Sequence, residues 1–205
     1  MKSLNNLPEN YREYYSVDMQ NDKKMMFRIN LIAILIGVAM VLAVGFFIPP
    51  STLTGGAEPS SERLINICIK LVTLAVLSIA YIILHESVHG IAMKICGTKK
   101  VKYGFTGMYA FAGSDDYYDK IAYIFIALAP VILWGIVLAV IGVFVPRSWF
   151  WVVYLIQIQN ISGAAGDFFV TFKFSRFPKD ILVRDSGTSM KVYALNDKVE
   201  EKTVE

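Results

Sequence analysis

Four apolar stretches, each about as long as a bilayer is thick, constrain this chain more than any other feature. A helix rises ~1.5 Å per residue, so about 20 apolar residues cross a hydrocarbon layer of ~30 Å. Residues 29–48, "INLIAILIGVAMVLAVGFFI", meet that length and stop at Pro49-Pro50. A second stretch runs from Leu64 to about Ile95, with Gly97 as its stop signal. The third, 121–145, is closed by Pro146, and the fourth, 149–172, opens with "WFWVVYLIQIQ". Composition agrees, with 55% of residues hydrophobic and only 18% charged, where soluble domains carry about a quarter. A cleaved leader fits 29–48 poorly, because a polar segment precedes it and no small-residue cleavage site follows. The expected fold is an all-α polytopic membrane protein with about four transmembrane helices. Its parts are a cytoplasmic segment 1–28, a transmembrane domain 29–172 and a cytoplasmic tail 173–205.

Basic residues orient the spans. Five precede residue 30, five lie in 94–120 and seven follow residue 172, whereas 49–63 and 146–148 hold one each, Arg63 and Arg147. The positive-inside rule therefore places both termini and the 94–120 connection in the cytoplasm. Trp149 and Trp151 suit an outer aromatic belt, and Lys70, inside the second span, suits snorkelling. A net charge of +3, spread this way, excludes nucleic acid as the natural partner. The partners expected are the bilayer and a membrane protein or peptide.

Within the second span stands "YIILHESVHGIAMKICG". His85 and His89 are the only two histidines of the chain, with Glu86 between them. Histidines four apart share one helix face, so both can reach a single Zn²⁺ while the glutamate reaches its water. The other reading is a pair of neutral histidines bonded to neighbouring helices. Cys96 lies on the same stripe but seven residues beyond His89, about 10 Å along the axis, and reads as a structural thiol. With Cys68 it is expected to be reduced.

A catalytic zinc site needs three protein ligands and an open position. Besides Glu86 and Lys70, Asp167 in "QNISGAAGDFFVTF" is the charged residue buried in a span. His85 lies about 21 residues below the outer edge of its span and Asp167 about 18, so both reach nearly the same depth near the cytoplasmic face. Asp167 is thus the candidate third ligand; a helix-end carboxylate at the interface is the alternative. Asn160 could support an oxyanion or substrate, or bond across helices. Gly163 and Gly166 permit close packing or a local break.

The 98–116 loop alternates Val101, Tyr103 and Phe105 with polar or small residues before Gly107. That pattern suits a short β-hairpin whose edge could hold an extended substrate, or a loop anchored on the membrane by aromatics. Pro130 should kink the third span, either shaping packing or opening lateral access.

The segments "HESVHGIAMKICG", "YGFTGMYAF", "IALAP" and "SGAAGD" resemble a bacterial membrane family of zincin peptidases, and more distantly the site-2 proteases. The resemblance runs from "SVDMQNDKKMMFRIN" to "FPKDILVRDSG". It implies zinc held by His85, His89 and Asp167, with Glu86 as the base. The site-2 protease pattern has prolines between its asparagine and Leu-Asp-Gly; here Gly163, Ala164, Ala165 and Gly166 stand there, and Phe168 follows Asp167.

The function expected is that of a zinc-dependent intramembrane metalloprotease cutting membrane-associated substrates near the cytoplasmic face. The alternative is a non-proteolytic zinc protein, either a divalent-cation carrier or sensor or a pseudoprotease scaffold. The outer halves of the spans offer almost no polar groups for a carrier's path, and a structural metal site would not need Glu86.

Overall fold

The computed structural model describes residues 3–18, 21–54, 60–107 and 109–199. It corrects the all-α expectation. The protein is mixed α/β: of the described residues, 61% are helical and 17% lie in strands. In chain order the elements are β1 (Ser3–Leu4), β2 (Tyr11–Asp18), α1 (Lys23–Gly45), a 3-10 turn (Pro50–Thr52), α2 (Ser60–Ile95), β3 (Lys102–Phe105) and β4 (Ala110–Gly113). There follow β5 (Tyr117–Asp119), α3 (Lys120–Phe144), α4 (Phe150–Gly163), α5 (Ala165–Ser175), β6 (Leu182–Asp185) and β7 (Ser189–Leu195).

Among the described residues, three helices, α1, α2 and α3, are long and apolar enough to cross a membrane. The fourth expected span is not continuous. It breaks at Ala164 between α4 and α5, where glycines on both sides of an Ala-Ala pair weaken helix propensity. Alone, α4 has 14 residues, about 21 Å of rise, short of the ~30 Å core.

By its internal contacts the chain divides into two compact units. The first draws on residues 1–29, 86–130 and 166–205. Its five-stranded sheet has the order β1-β5-β6-β7-β2, antiparallel throughout. The all-α reading missed this sheet because its strands come from three segments that look like polar connections beside the apolar runs. One strand was legible by period: in β7, Met190, Val192 and Ala194 face inward while Ser189, Lys191 and Tyr193 alternate with them. The inner face packs on Ala92, Met93 and Cys96 of α2, Tyr123 and Ile126 of α3, and Val170 and Phe174 of α5. Cys96 is buried there as a free thiol, and Cys68 is also free.

Helix α2 stops where its sequence says it should. Gly97 takes φ +106°; its N–H donates to the Lys94 carbonyl at 3.0 Å and that of Thr98 to Met93 at 3.1 Å, the paired bonds of a Schellman end. Within 98–116, β3 and β4 pair as a separate two-stranded sheet, Lys102 opposite Gly113 and Phe105 opposite Ala110. This hairpin is tied to the large sheet. The Ser114 N–H donates to the Asp185 carbonyl at 2.7 Å, and a Cβ on Gly113 would collide with the backbone of Ser186 and Gly187.

The second unit comprises residues 30–85 and 131–165. Gly37 of α1 faces Ile158 and Ser162 of α4, with room for ordinary contact, and Tyr154 donates to the Met40 carbonyl at 3.0 Å. Lys70 is 7% exposed, and its Nζ reaches the Leu53 carbonyl, in the connection before α2, at 2.9 Å. One sequence expectation changes here. Trp151 does not stand in an outward belt but is buried, its indole N–H directed to the Pro49 carbonyl at 3.3 Å.

Candidate metal centre

His85 and His89 occupy successive turns of α2, and Asp167 the first turn of α5. One ligand atom from each lies within 4.8 Å of the others. His89 Nε2 is 3.6 Å from Asp167 Oδ1, with side chains 11% and 23% exposed. That span is too long for a hydrogen bond. It is close to the edge of a tetrahedron about zinc, roughly 3.4 Å for bonds of ~2.0–2.1 Å. Two imidazoles and a carboxylate are also the donor set that zinc takes in hydrolytic sites. The residues fit the metal by chemistry and by spacing.

Each histidine has a partner on its other ring nitrogen. His89 Nδ1 lies 2.9 Å from the Ile126 carbonyl of α3. His85 Nδ1 lies 2.7 Å from the Tyr81 hydroxyl, one turn earlier on the same face. Tyr81 in turn donates to Asn160 Oδ1 at 2.8 Å, and Asn160 Nδ2 donates to the Val131 carbonyl at 3.2 Å. Of the two roles open to Asn160, the structure displays the bonds across helices; the side chain is fully buried and both ends of its amide are engaged.

Glu86 starts the turn between the histidines and receives a hydrogen bond from the Ala112 main-chain N–H of β4. The hairpin therefore reaches the motif itself. Its other strand leans on α2 through Gly90, where a side chain would overlap the Tyr103 hydroxyl. Since Gly90 directly follows His89, its bareness seats the hairpin at the level of the ligands. Cys96 lies in the apolar core instead.

Sequence reading missed four participants: Tyr81, the Ile126 carbonyl, the Ala112 N–H and Asp185. Tyr81 carried a signal, being four residues before His85 as His85 is before His89. The two main-chain groups carried none. Asp185, the last residue of β6, is a buried carboxylate that accepts from the Gly187 N–H at 2.8 Å and the Tyr123 hydroxyl at 2.9 Å. Burial pushes its pKa above the ordinary carboxylate range.

Comparison with known proteins supplies the remaining evidence. The chain is 34% identical over 119 residues to an uncharacterized 24.7 kDa protein in the gap 5' region of Pyrococcus woesei, covering 55% of this chain and 51% of that protein. It thus spans about half the length of that relative. No solved structure matches. Residues 78–182, which include every candidate ligand, match the family model described as "Putative zincin peptidase", and the chain belongs to that family.

Proposed function

We propose that the protein is a zinc-dependent intramembrane metalloprotease that hydrolyses peptide bonds of membrane-associated substrates near the cytoplasmic face. The observation that carries this reading is the convergence of His85, His89 and Asp167 within 4.8 Å, beside a glutamate on the same helix. His85, His89 and Asp167 would hold the ion, and Glu86 would be the general base. Bound zinc would supply Lewis acidity, polarising the scissile carbonyl and acidifying a water.

The chain's own groups do the rest. Glu86 takes a proton from the attacking water on one carboxylate oxygen and returns it to the departing amine. The Ala112 N–H holds that carboxylate in place, so the hairpin helps to aim the base. A helical substrate has its peptide groups already bonded and must be unwound before attack. The outer edge of β3, which carries exposed Tyr103 and Phe105, offers main-chain groups to an extended segment.

The proposed topology, with both termini cytoplasmic, draws support from the sheet. Its strands come from the three lysine- and arginine-rich segments: β1 and β2 before the first span, β5 between α2 and α3, and β6 and β7 after α5. Strands that pair by hydrogen bonds must lie on one side of the bilayer. The chain then crosses an even number of times, and the α4–α5 pair returns it.

The test is metal analysis of the detergent-purified protein together with cleavage of a reporter carrying a membrane-spanning segment. Near one zinc per chain and chelator-sensitive cleavage are expected. Cleavage that persists after complete metal removal would overturn the reading.

A further inference from the structure

Two devices outside the His-Glu-x-x-His motif decide which nitrogen each histidine presents. The first concerns Pro130. In a helix each carbonyl is taken by the N–H four residues on. For Ile126 that residue is Pro130, which has no N–H. The proline thus leaves the Ile126 carbonyl without its helical donor, and His89 Nδ1 stands 2.9 Å from it. A carbonyl only accepts, so Nδ1 carries the hydrogen and, in the neutral ring, Nε2 the lone pair.

The second device works by elimination of hydrogens. Asn160 Nδ2 donates to the Val131 carbonyl, which identifies the other amide atom as the oxygen. Tyr81 spends its single hydroxyl hydrogen on that oxygen. Its own oxygen can then only accept from His85, at 2.7 Å. His85 Nδ1 therefore also bears its hydrogen, again leaving the lone pair on Nε2.

We infer that Tyr81, braced by Asn160, and Pro130, through the Ile126 carbonyl it releases, are positioning residues that lock both histidines as Nδ1–H tautomers and turn two Nε2 lone pairs toward one cation. The role at the metal rests on the proposed function; the tautomers do not. Pro130 is then kept for the acceptor that it liberates. Asn160 acts at one remove, on His85 through Tyr81, and not on substrate.

Because the chain has only two histidines, the tautomers can be read directly. Long-range ¹H–¹⁵N correlation of ¹⁵N-histidine-labelled, metal-free protein in micelles at about pH 8, above the ordinary imidazole pKa of ~6.5, should show both rings protonated at Nδ1. Either ring protonated at Nε2 in the wild type would overturn the assignment, and no variant is needed for that result. Zinc affinity by chelator competition should then fall about 10- to 100-fold in Tyr81→Phe. Asn160→Ala should add little to the loss in the double variant, since it acts through Tyr81. Pro130→Ala restores an N–H that competes for the Ile126 carbonyl. It should weaken zinc about tenfold while the metal-free melting temperature holds or rises, the opposite pairing to a proline that serves only packing. Wild-type zinc affinity in Tyr81→Phe and Pro130→Ala would overturn the positioning role. A wild-type protein with Nδ1–H histidines that takes up no zinc would instead overturn the proposed function and leave the tautomers standing.

Discussion

His89 Nε2 and Asp167 Oδ1 face each other at 3.6 Å from two helices far apart in sequence, within ion-pair range yet beyond hydrogen-bond length. That spacing suits two ligands of one cation as well as a direct ion pair. The first expectation follows at once. Asp167→Asn keeps the shape but gives up the charge, so zinc affinity should drop on the order of 100-fold or more, comparable to or beyond the loss of an outer-shell partner. Equilibrium dialysis against buffered zinc measures it, and full retention would point to a different third ligand.

Glu86→Gln separates binding from chemistry. The amide cannot take a proton from water, so cleavage should fall roughly 10²- to 10⁴-fold, the usual worth of a general base. Zinc content should stay near that of the wild type, because His85, His89 and Asp167 are untouched. Undiminished cleavage in this variant would remove Glu86 from the mechanism.

The hairpin depends on a bare backbone at Gly113. A methyl group there meets main-chain atoms of Ser186 and Gly187, which cannot swing aside as a side-chain tip can. Gly113→Ala should destabilise the protein by about 1–3 kcal/mol, the cost of forcing an extra group into packed structure. Gly142→Ala is the matched control: nothing lies within 4 Å of its added carbon, so stability should hold or rise by up to about 1 kcal/mol. Thermal melts in one detergent compare the two, and equal midpoints would contradict the packing.

Asp185 makes stability depend on pH in a stated direction. Its folded pKa is raised by burial, with the Gly187 N–H and Tyr123 hydroxyl only partly offsetting that effect. The folded chain therefore holds this proton more tightly than the unfolded chain. The contribution is full below the ordinary carboxylate pKa and is lost as pH rises through the raised one. Across that window the wild type should lose melting temperature relative to Asp185→Asn, which cannot titrate. A constant difference between the two would show that the carboxyl is not held above its usual range.

Helix periodicity is a local property, and what it governs could be read from residue order. The long apolar runs, the shared face of His85 and His89, and the end of α2 at Gly97 all follow from rise and turn along one segment. Asp167 could also be reached, because a charge within an apolar stretch is expensive and a count of residues sets its depth. Tertiary structure alone decided the sheet, since β5 pairs with β1 and β6, and β2 with β7, only once distant segments meet, and the alternation within β7 does not say which strands it joins. It also decided what surrounds the ligands: the Ala112 N–H beside Glu86 and the Ile126 carbonyl beside His89 are main-chain groups, identical in every residue, and only the path of the chain gives them a place. For the same reason Asn160 turned out to face Tyr81: its amide offers both a donor and an acceptor, and the fold chose their partners.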